Sequence, residues 1–131
     1  MKTILVDASH CFIQKQNEGY GVYQDMVNLL ETYPNKKIVL TNANEEGVKK
    51  YGLDKIPYEF FSLNNNPGKI DSVYYKTMLK KLNLGKDDVV CFEHDKNVVK
   101  SAQSVGINTY FYDEDIKDLV SLRKFLDNNL K

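Results

Sequence analysis

Short apolar runs alternate with segments of helical period along the whole chain, and this alternation limits the folds open to it. Five runs have the length and composition of buried strands: 3–6, 37–40, 58–63, 88–92 and 107–112. Helical spacing of apolar residues follows them over 22–33, 45–51, 71–82, 97–105 and 116–130. Because consecutive parallel strands need helical crossovers, the pattern predicts an α/β fold in which helices cover both faces of a doubly wound, five-stranded parallel sheet, a three-layer α/β/α arrangement.

Length, charge and cysteine content narrow the class of protein further. A chain of 131 residues is the size of one domain, and its 18 basic and 18 acidic residues leave no net charge. Arg123 is the single arginine, so no arginine cluster is available to grip phosphates, and neither nucleic acid nor a membrane surface is an expected partner. Cys11 and Cys91 show no metal-ligand spacing, and no apolar run is long enough for a signal or a membrane span. These features favour a cytoplasmic protein.

Polar residues follow the predicted strands at the edge where open parallel sheets bind ligands. They are Asp7, Ser9 and His10 after the first strand, Thr41 and Asn42 after the second, and Glu93, His94 and Asp95 after the fourth. Lys69 follows the Asn64–Gly68 turn and could reach the same edge. Carboxylates, a hydroxyl and a lysine together can hold a phosphate with a magnesium ion, so we expect these side chains to converge.

Four segments in order resemble the motifs of the haloacid dehalogenase (HAD) superfamily of aspartate-nucleophile hydrolases. They are an apolar strand ending at Asp7, a strand ending in Thr41-Asn42, Lys69 before a helix that contains Tyr74, and a strand ending in Glu93-His94-Asp95. The resemblance covers nearly the whole chain. It implies a HAD-like Rossmannoid fold in one domain, residues 1–131, with no room for the cap domain that covers the substrate in many relatives.

The resemblance also implies roles for individual residues. Asp7 would attack phosphorus as the nucleophile, Thr41, Asn42 and Lys69 would hold the phosphoryl oxygens, and Mg²⁺ would be held at Asp7 and Ser9 with Glu93 or Asp95. Glu93 is favoured of these two because it directly follows the strand. The ligand implied is a small phosphorylated molecule or phosphate.

Position 9 departs from the family pattern. Relatives carry there a second aspartate that serves as general acid and base, whereas this chain has Ser9, which cannot hold a titratable proton near neutral pH. A weakly active phosphohydrolase is therefore expected, with His10 as the candidate substitute acid. The alternative is a catalytically degenerate protein that binds phosphate, a metal or a protein partner; dehalogenation is a weaker third hypothesis. A response-regulator receiver domain is excluded, because its acceptor aspartate would follow the third strand, where this chain has Ser62-Leu63-Asn64.

Overall fold

Burial of both faces of the central strands places the sheet in the middle of the molecule. The computed structural model describes residues 1–131. Its strands are Thr3–Asp7 (β1), Ile13–Lys15 (β2), Tyr20–Val22 (β3), Lys37–Thr41 (β4), Glu59–Ser62 (β5), Val89–Glu93 (β6) and Asn108–Phe111 (β7). Its α-helices are Gln24–Leu30 (α1), Glu45–Lys50 (α2), Ser72–Lys81 (α3), Lys96–Ser104 (α4) and Leu119–Asn129 (α5). None of these helices is long and apolar enough to cross a bilayer.

The main sheet has five parallel strands in the order β5, β4, β1, β6, β7, which confirms the predicted fold. The chain winds outward from β1 in one direction and then, after β5, in the other. The reversal lies between the adjacent strands β1 and β6. Open α/β sheets bind ligands at such a switch point, outside the carboxyl ends of the strands.

Successive residues of the central strands pack into two separate hydrophobic cores, because their side chains point alternately to opposite faces of the sheet. One core joins Ile4 and Val6 to α1 and α5, and the other joins Leu5 to α3 and α4. Because both faces of β1, β4 and β6 are covered, these strands are apolar almost throughout, and the polar residues are confined to their ends.

Side-chain caps fix where several helices begin. Asn44, Asp71, Asp95 and Asp118 precede α2, α3, α4 and α5, and each accepts a hydrogen bond from a backbone amide of the first turn. The last helix was predicted from residue 116 but begins at Leu119. The Asp118 cap and the left-handed backbone of Lys117 (φ 52°) define this start.

An antiparallel hairpin, β2 with β3, precedes the first helix and was not predicted. Each strand has only three residues, too few for a clear alternation of apolar and polar side chains. Gly19 at φ 79° supplies the left-handed backbone of the turn between them. As a result, the predicted helix over 22–33 was too long: Val22 belongs to β3 and α1 is limited to Gln24–Leu30.

Candidate functional site

The carboxyl edge of the sheet carries three polar strand-end residues side by side. Asp7, Thr41 and Glu93 are the last residues of β1, β4 and β6, and all three are buried. The parallel register pairs Val6 with Val39 and with Phe92, which brings these ends to one level. The edge opens into a cleft of about 570 Å³ with a mostly polar lining. The position of the cleft, at the carboxyl ends of the strands, is the one that the sequence predicted.

Lys69 enters the site from the loop before α3. Its side chain is 7 % exposed, and its Nζ lies 2.8 Å from Asp7 Oδ1, 2.9 Å from Glu93 Oε1 and 3.1 Å from Glu93 Oε2. The backbone amide of Lys69 donates to Asn42 Oδ1 at 2.8 Å, which ties this loop to the end of β4. One buried ammonium group therefore joins two buried carboxylates.

The two carboxyl groups share that single lysine, yet their pKa values shift in opposite directions. Burial alone would raise the pKa of Asp7, but Lys69 and His94 outweigh it and hold this pKa well below its usual range. Burial raises the pKa of Glu93 well above its ordinary value, and the Asp7 charge raises it further, against the opposing effect of Lys69. Burial disfavours the charge on Lys69, yet Asp7 and Glu93 together raise its pKa. Asp7, which has two cationic partners, is therefore the carboxyl group whose ionised form is the more strongly favoured.

Glu93 has a further partner on α3. The buried hydroxyl of Tyr75 donates to Glu93 Oε2 at 2.9 Å, so both carboxylate oxygens have partners within the chain. Nothing in the sequence separates Tyr75 from an ordinary core aromatic residue, and its role at this site was not predicted.

His94 covers the second oxygen of Asp7. Its backbone amide donates to Asp7 Oδ2 at 3.0 Å, and its ring Nδ1 contacts the same oxygen. The Cys11 thiol lies 3.4 Å from Oδ2. The hydrogen bond to Asp7 raises the pKa of His94, although partial burial opposes this. From the sequence, His10 was the candidate substitute acid and it stayed open whether His94 faces the site; the ring against Asp7 is that of His94.

The remaining predicted residues also border the cleft. Ser9 lies on the exposed loop after β1, and Asp95 caps α4 by accepting from the Asn97 amide at 2.8 Å. The Thr41 hydroxyl accepts from the Ala43 amide at 3.1 Å, so it orders the turn after β4, whereas the cap of α2 is Asn44. The predicted residues are therefore brought together, with Asp7 at the centre.

His10 lies near His94 and near Glu114, in the loop that follows β7. The two imidazole ring centroids are 4.8 Å apart, and His10 Nδ1 lies 2.9 Å from Glu114 Oε2. No hydrogen bond or ion pair joins His10 to Asp7, whose partners are Lys69, His94 and Cys11.

Neither a family model nor a curated protein matches this sequence. Solved structures do match the fold. The HAD-family enzyme bt-2542 of Bacteroides thetaiotaomicron, in complex with magnesium and inorganic phosphate, superposes with a TM-score of 0.68 at 11% identity over 87% of this chain and 95% of that one.

Two further structures are similar. A HAD-superfamily hydrolase of Ehrlichia chaffeensis gives a TM-score of 0.66 at 15% identity, over 90% of this chain and 63% of that one. The N-terminal part of the protein BF1531 of Bacteroides fragilis, which contains a phosphatase domain complexed with Mg, gives 0.62 at 16% identity over 98% of this chain and 40% of that one. At these identities the similarity shows that this chain has the HAD-like fold.

Proposed function

We propose that this chain belongs to the HAD superfamily as a single domain without a cap, and that it is a magnesium-dependent phosphohydrolase working through an aspartyl-phosphate on Asp7. The observation that supports this proposal best is the position of the Asp7 carboxylate, at the end of the central strand, 2.8 Å from Lys69 Nζ and beside a polar cleft. The two similar structures that contain magnesium support the choice of metal.

The donor groups near Asp7 fit a magnesium ion. The ion commonly takes one or two carboxylates and keeps several waters. Asp7 offers a carboxylate, and the Ser9 carbonyl accepts no hydrogen bond within the chain and is free to ligate. Sequence reasoning favoured Glu93 over Asp95 as the second acidic ligand. Asp95 is the more accessible of the two, because Glu93 is fully buried, whereas Asp95 is half-buried and its Oδ2 makes no hydrogen bond within the chain. When bound, the ion would offset negative charge on the phosphoryl oxygens.

In the first step an oxygen of Asp7 attacks phosphorus, the bond between phosphorus and the ester oxygen breaks, and the leaving oxygen takes up a proton from solvent. Lys69, Asn42 and the Thr41 hydroxyl are the donors available for the phosphoryl oxygens. In the second step water attacks the aspartyl-phosphate and releases phosphate, which returns Asp7 as a carboxylate. The substrate is a small phosphorylated molecule that the open cleft can admit.

Two features of the site make this reaction slow. Ser9 offers no proton for the leaving group and no base for the water of the second step. The His94 ring lies against Asp7 Oδ2 and must move before that oxygen can approach phosphorus, while Lys69 occupies Oδ1. We therefore expect weak turnover and an intermediate that persists.

The hydrogen bonds that both Asp7 oxygens make within the chain favour a second candidate function. A protein whose Asp7 oxygens are both satisfied within the chain could bind phosphate or a protein partner without turnover.

Phosphate release from an aryl phosphate in the presence of Mg²⁺ separates the two functions. We expect slow release by the unmodified chain and by Asp54→Asn, a control away from the cleft, and none by Asp7→Asn. Phosphate binding with release equal in the unmodified chain and Asp7→Asn would support binding alone.

A further inference from the structure

Three loops at the carboxyl edge bring together a second group of side chains with metal-binding chemistry. The loops follow β1, β6 and β7, which are adjacent in the sheet, and they carry His10, His94 and Glu114. One ligand atom from each of these residues lies within 4.8 Å of the other two. The group includes none of the residues assigned to phosphate.

The positions of the two imidazoles suit a metal site. His94 Nδ1 is engaged by the Asp7 carboxylate, whereas its Nε2 makes no hydrogen bond within the chain. A carboxylate on one ring nitrogen, which fixes the tautomer and leaves the other nitrogen as a ligand, is the usual environment of a metal-binding histidine. His10 is held in a left-handed backbone conformation (φ 66°), and its amide donates to the Ile13 carbonyl at 2.9 Å.

Glu114 provides the third ligand. Its carboxylate oxygen Oε2 is 2.9 Å from His10 Nδ1, and its loop is ordered by Asp113, whose Oδ1 accepts from the Asp115 amide at 2.9 Å. The side chains of His10 and Glu114 are 61% and 36% exposed, so they are free to close around an ion. Tetrahedral zinc, with ligand bonds of about 2.0–2.1 Å, needs its ligand atoms roughly 3.4 Å apart, which lies between the 2.9 Å that separates His10 Nδ1 from Glu114 Oε2 and the 4.8 Å limit of the whole group.

We propose that His10, His94 and Glu114 form a binding site for a divalent transition metal of the zinc class, with water completing the coordination. Two imidazole nitrogens and one carboxylate are ligands that zinc, cobalt and nickel prefer, whereas magnesium prefers oxygen alone. The site is therefore distinct in ligand chemistry from the magnesium site proposed at Asp7 and Ser9.

A neighbouring group, Asp7 with Cys11 and His94, also lies within metal-binding distances and is the competing position for such an ion. It is the weaker site, because burial raises the pKa of the Cys11 thiol and Asp7 is already paired with Lys69. A zinc ligand must be the thiolate, which this environment disfavours.

Zinc binding to the untagged, chelator-treated chain tests the proposal, with excess Mg²⁺ present to fill the oxygen site. Isothermal titration gives the stoichiometry and affinity, and the visible absorption of bound Co²⁺ reports nitrogen and oxygen ligation. We expect one Zn²⁺ per chain. The variants His10→Asn and Glu114→Gln should each weaken binding at least roughly tenfold. Asparagine is chosen at position 10 because it tolerates the left-handed backbone.

Two matched variants locate the ion. Asp115→Asn removes a neighbouring carboxylate and should leave the affinity within about twofold, and Cys11→Ser should do the same. Absence of zinc binding would overturn the proposal, as would unchanged affinity in both His10→Asn and Glu114→Gln. Loss of binding in Cys11→Ser would move the ion to the competing group and also overturn it. Because no turnover is measured, failure of the phosphohydrolase proposal would leave this test unaffected.

Discussion

The ammonium nitrogen of Lys69 lies 2.8 Å from Oδ1 of Asp7, although 62 residues separate them in the chain. Both side chains are almost fully buried, and Glu93 lies on the other side of the same ammonium group. Removing one partner of a buried ion pair leaves an uncompensated charge in a poorly solvated place. The stability of the sheet edge and the proposed chemistry thus depend on one lysine.

Replacing Lys69 should test that dependence. Lys69→Met leaves Asp7 and Glu93 buried without a cation, and we expect a loss of about 3–5 kcal/mol in the free energy of unfolding by urea. Lys80→Met, at an exposed lysine of α3, should change it by less than about 0.5 kcal/mol. Adding Glu93→Gln to Lys69→Met should recover part of the loss, because Asp7 is then the only buried carboxyl group left without the lysine. An additive double variant would show that the pair does not interact as described.

Two buried tyrosines should respond in opposite ways to loss of their hydroxyl groups. Tyr75→Phe removes the donor to Glu93 Oε2 and should lower the free energy of unfolding by about 1–3 kcal/mol. The Tyr112 hydroxyl is buried without a hydrogen-bond partner, so Tyr112→Phe should be neutral or stabilising. Both changes remove one oxygen from a buried ring, and unfolding by urea compares them directly. Equal losses would argue against a special role for the Tyr75 hydroxyl.

The contact between His94 and Asp7 should make stability depend on pH. Because the folded-state pKa of His94 is raised above its ordinary 6.5, its stabilisation is complete below pH 6.5 and is lost as pH rises through the folded value. The pKa of Asp7 is lowered from 3.8 by folding. Its contribution to the stability of the folded protein is therefore present above pH 3.8 and is lost as pH falls toward the folded-state pKa.

Urea unfolding of the unmodified chain and of His94→Gln, from about pH 5 to about pH 9, measures the histidine part of this dependence. We expect the stability difference between the two proteins to shrink as pH rises through the folded pKa of His94. Other titrating groups, Glu93 included, are common to both proteins. A difference that stays constant or widens with pH would contradict the pairing.

The acidic residue missing at position 9 accounts for slow turnover in the proposed reaction. Ser9→Asp restores a proton donor and acceptor at the cleft and should raise the rate of aryl phosphate hydrolysis by about 10²–10⁴. Ser9→Asn has nearly the same shape and no titratable proton, so it should give no comparable rise. Equal rates in the two variants would mean that proton transfer at this position does not limit the reaction.

Much of the fold follows from the sequence, because buried parallel strands are apolar throughout and end abruptly. The ends of β1 and β4 were therefore visible as changes from apolar to polar residues at Asp7 and Thr41. The hairpin β2–β3 was missed because three-residue strands carry too little periodicity. The start of α5 was misplaced because Ile116 is apolar but lies before the Asp118 cap.

The candidate site was predictable only in outline. Strand-end residues had to meet at one edge, and they do. How the side chains pair depends on distances between loops that sequence spacing does not fix. Thus Lys69 bridges two carboxylates, Tyr75 reaches Glu93 from a helix, and His94 rather than His10 lies against Asp7. The signal for His94 in the sequence was its position directly after Glu93, at the end of the fourth predicted strand.

The covalent intermediate on Asp7 is the central claim of the proposed function, and intact-mass spectrometry tests it directly. Acetyl phosphate has a leaving group that needs no proton, so it should phosphorylate Asp7 in the presence of Mg²⁺ even though Ser9 cannot act as an acid. We predict one added phosphoryl group per chain, which persists after the donor is removed, is retained in Asp54→Asn and is absent in Asp7→Asn. An adduct of equal yield in Asp7→Asn, or no adduct under conditions where Mg²⁺ binding is demonstrated, would contradict the account.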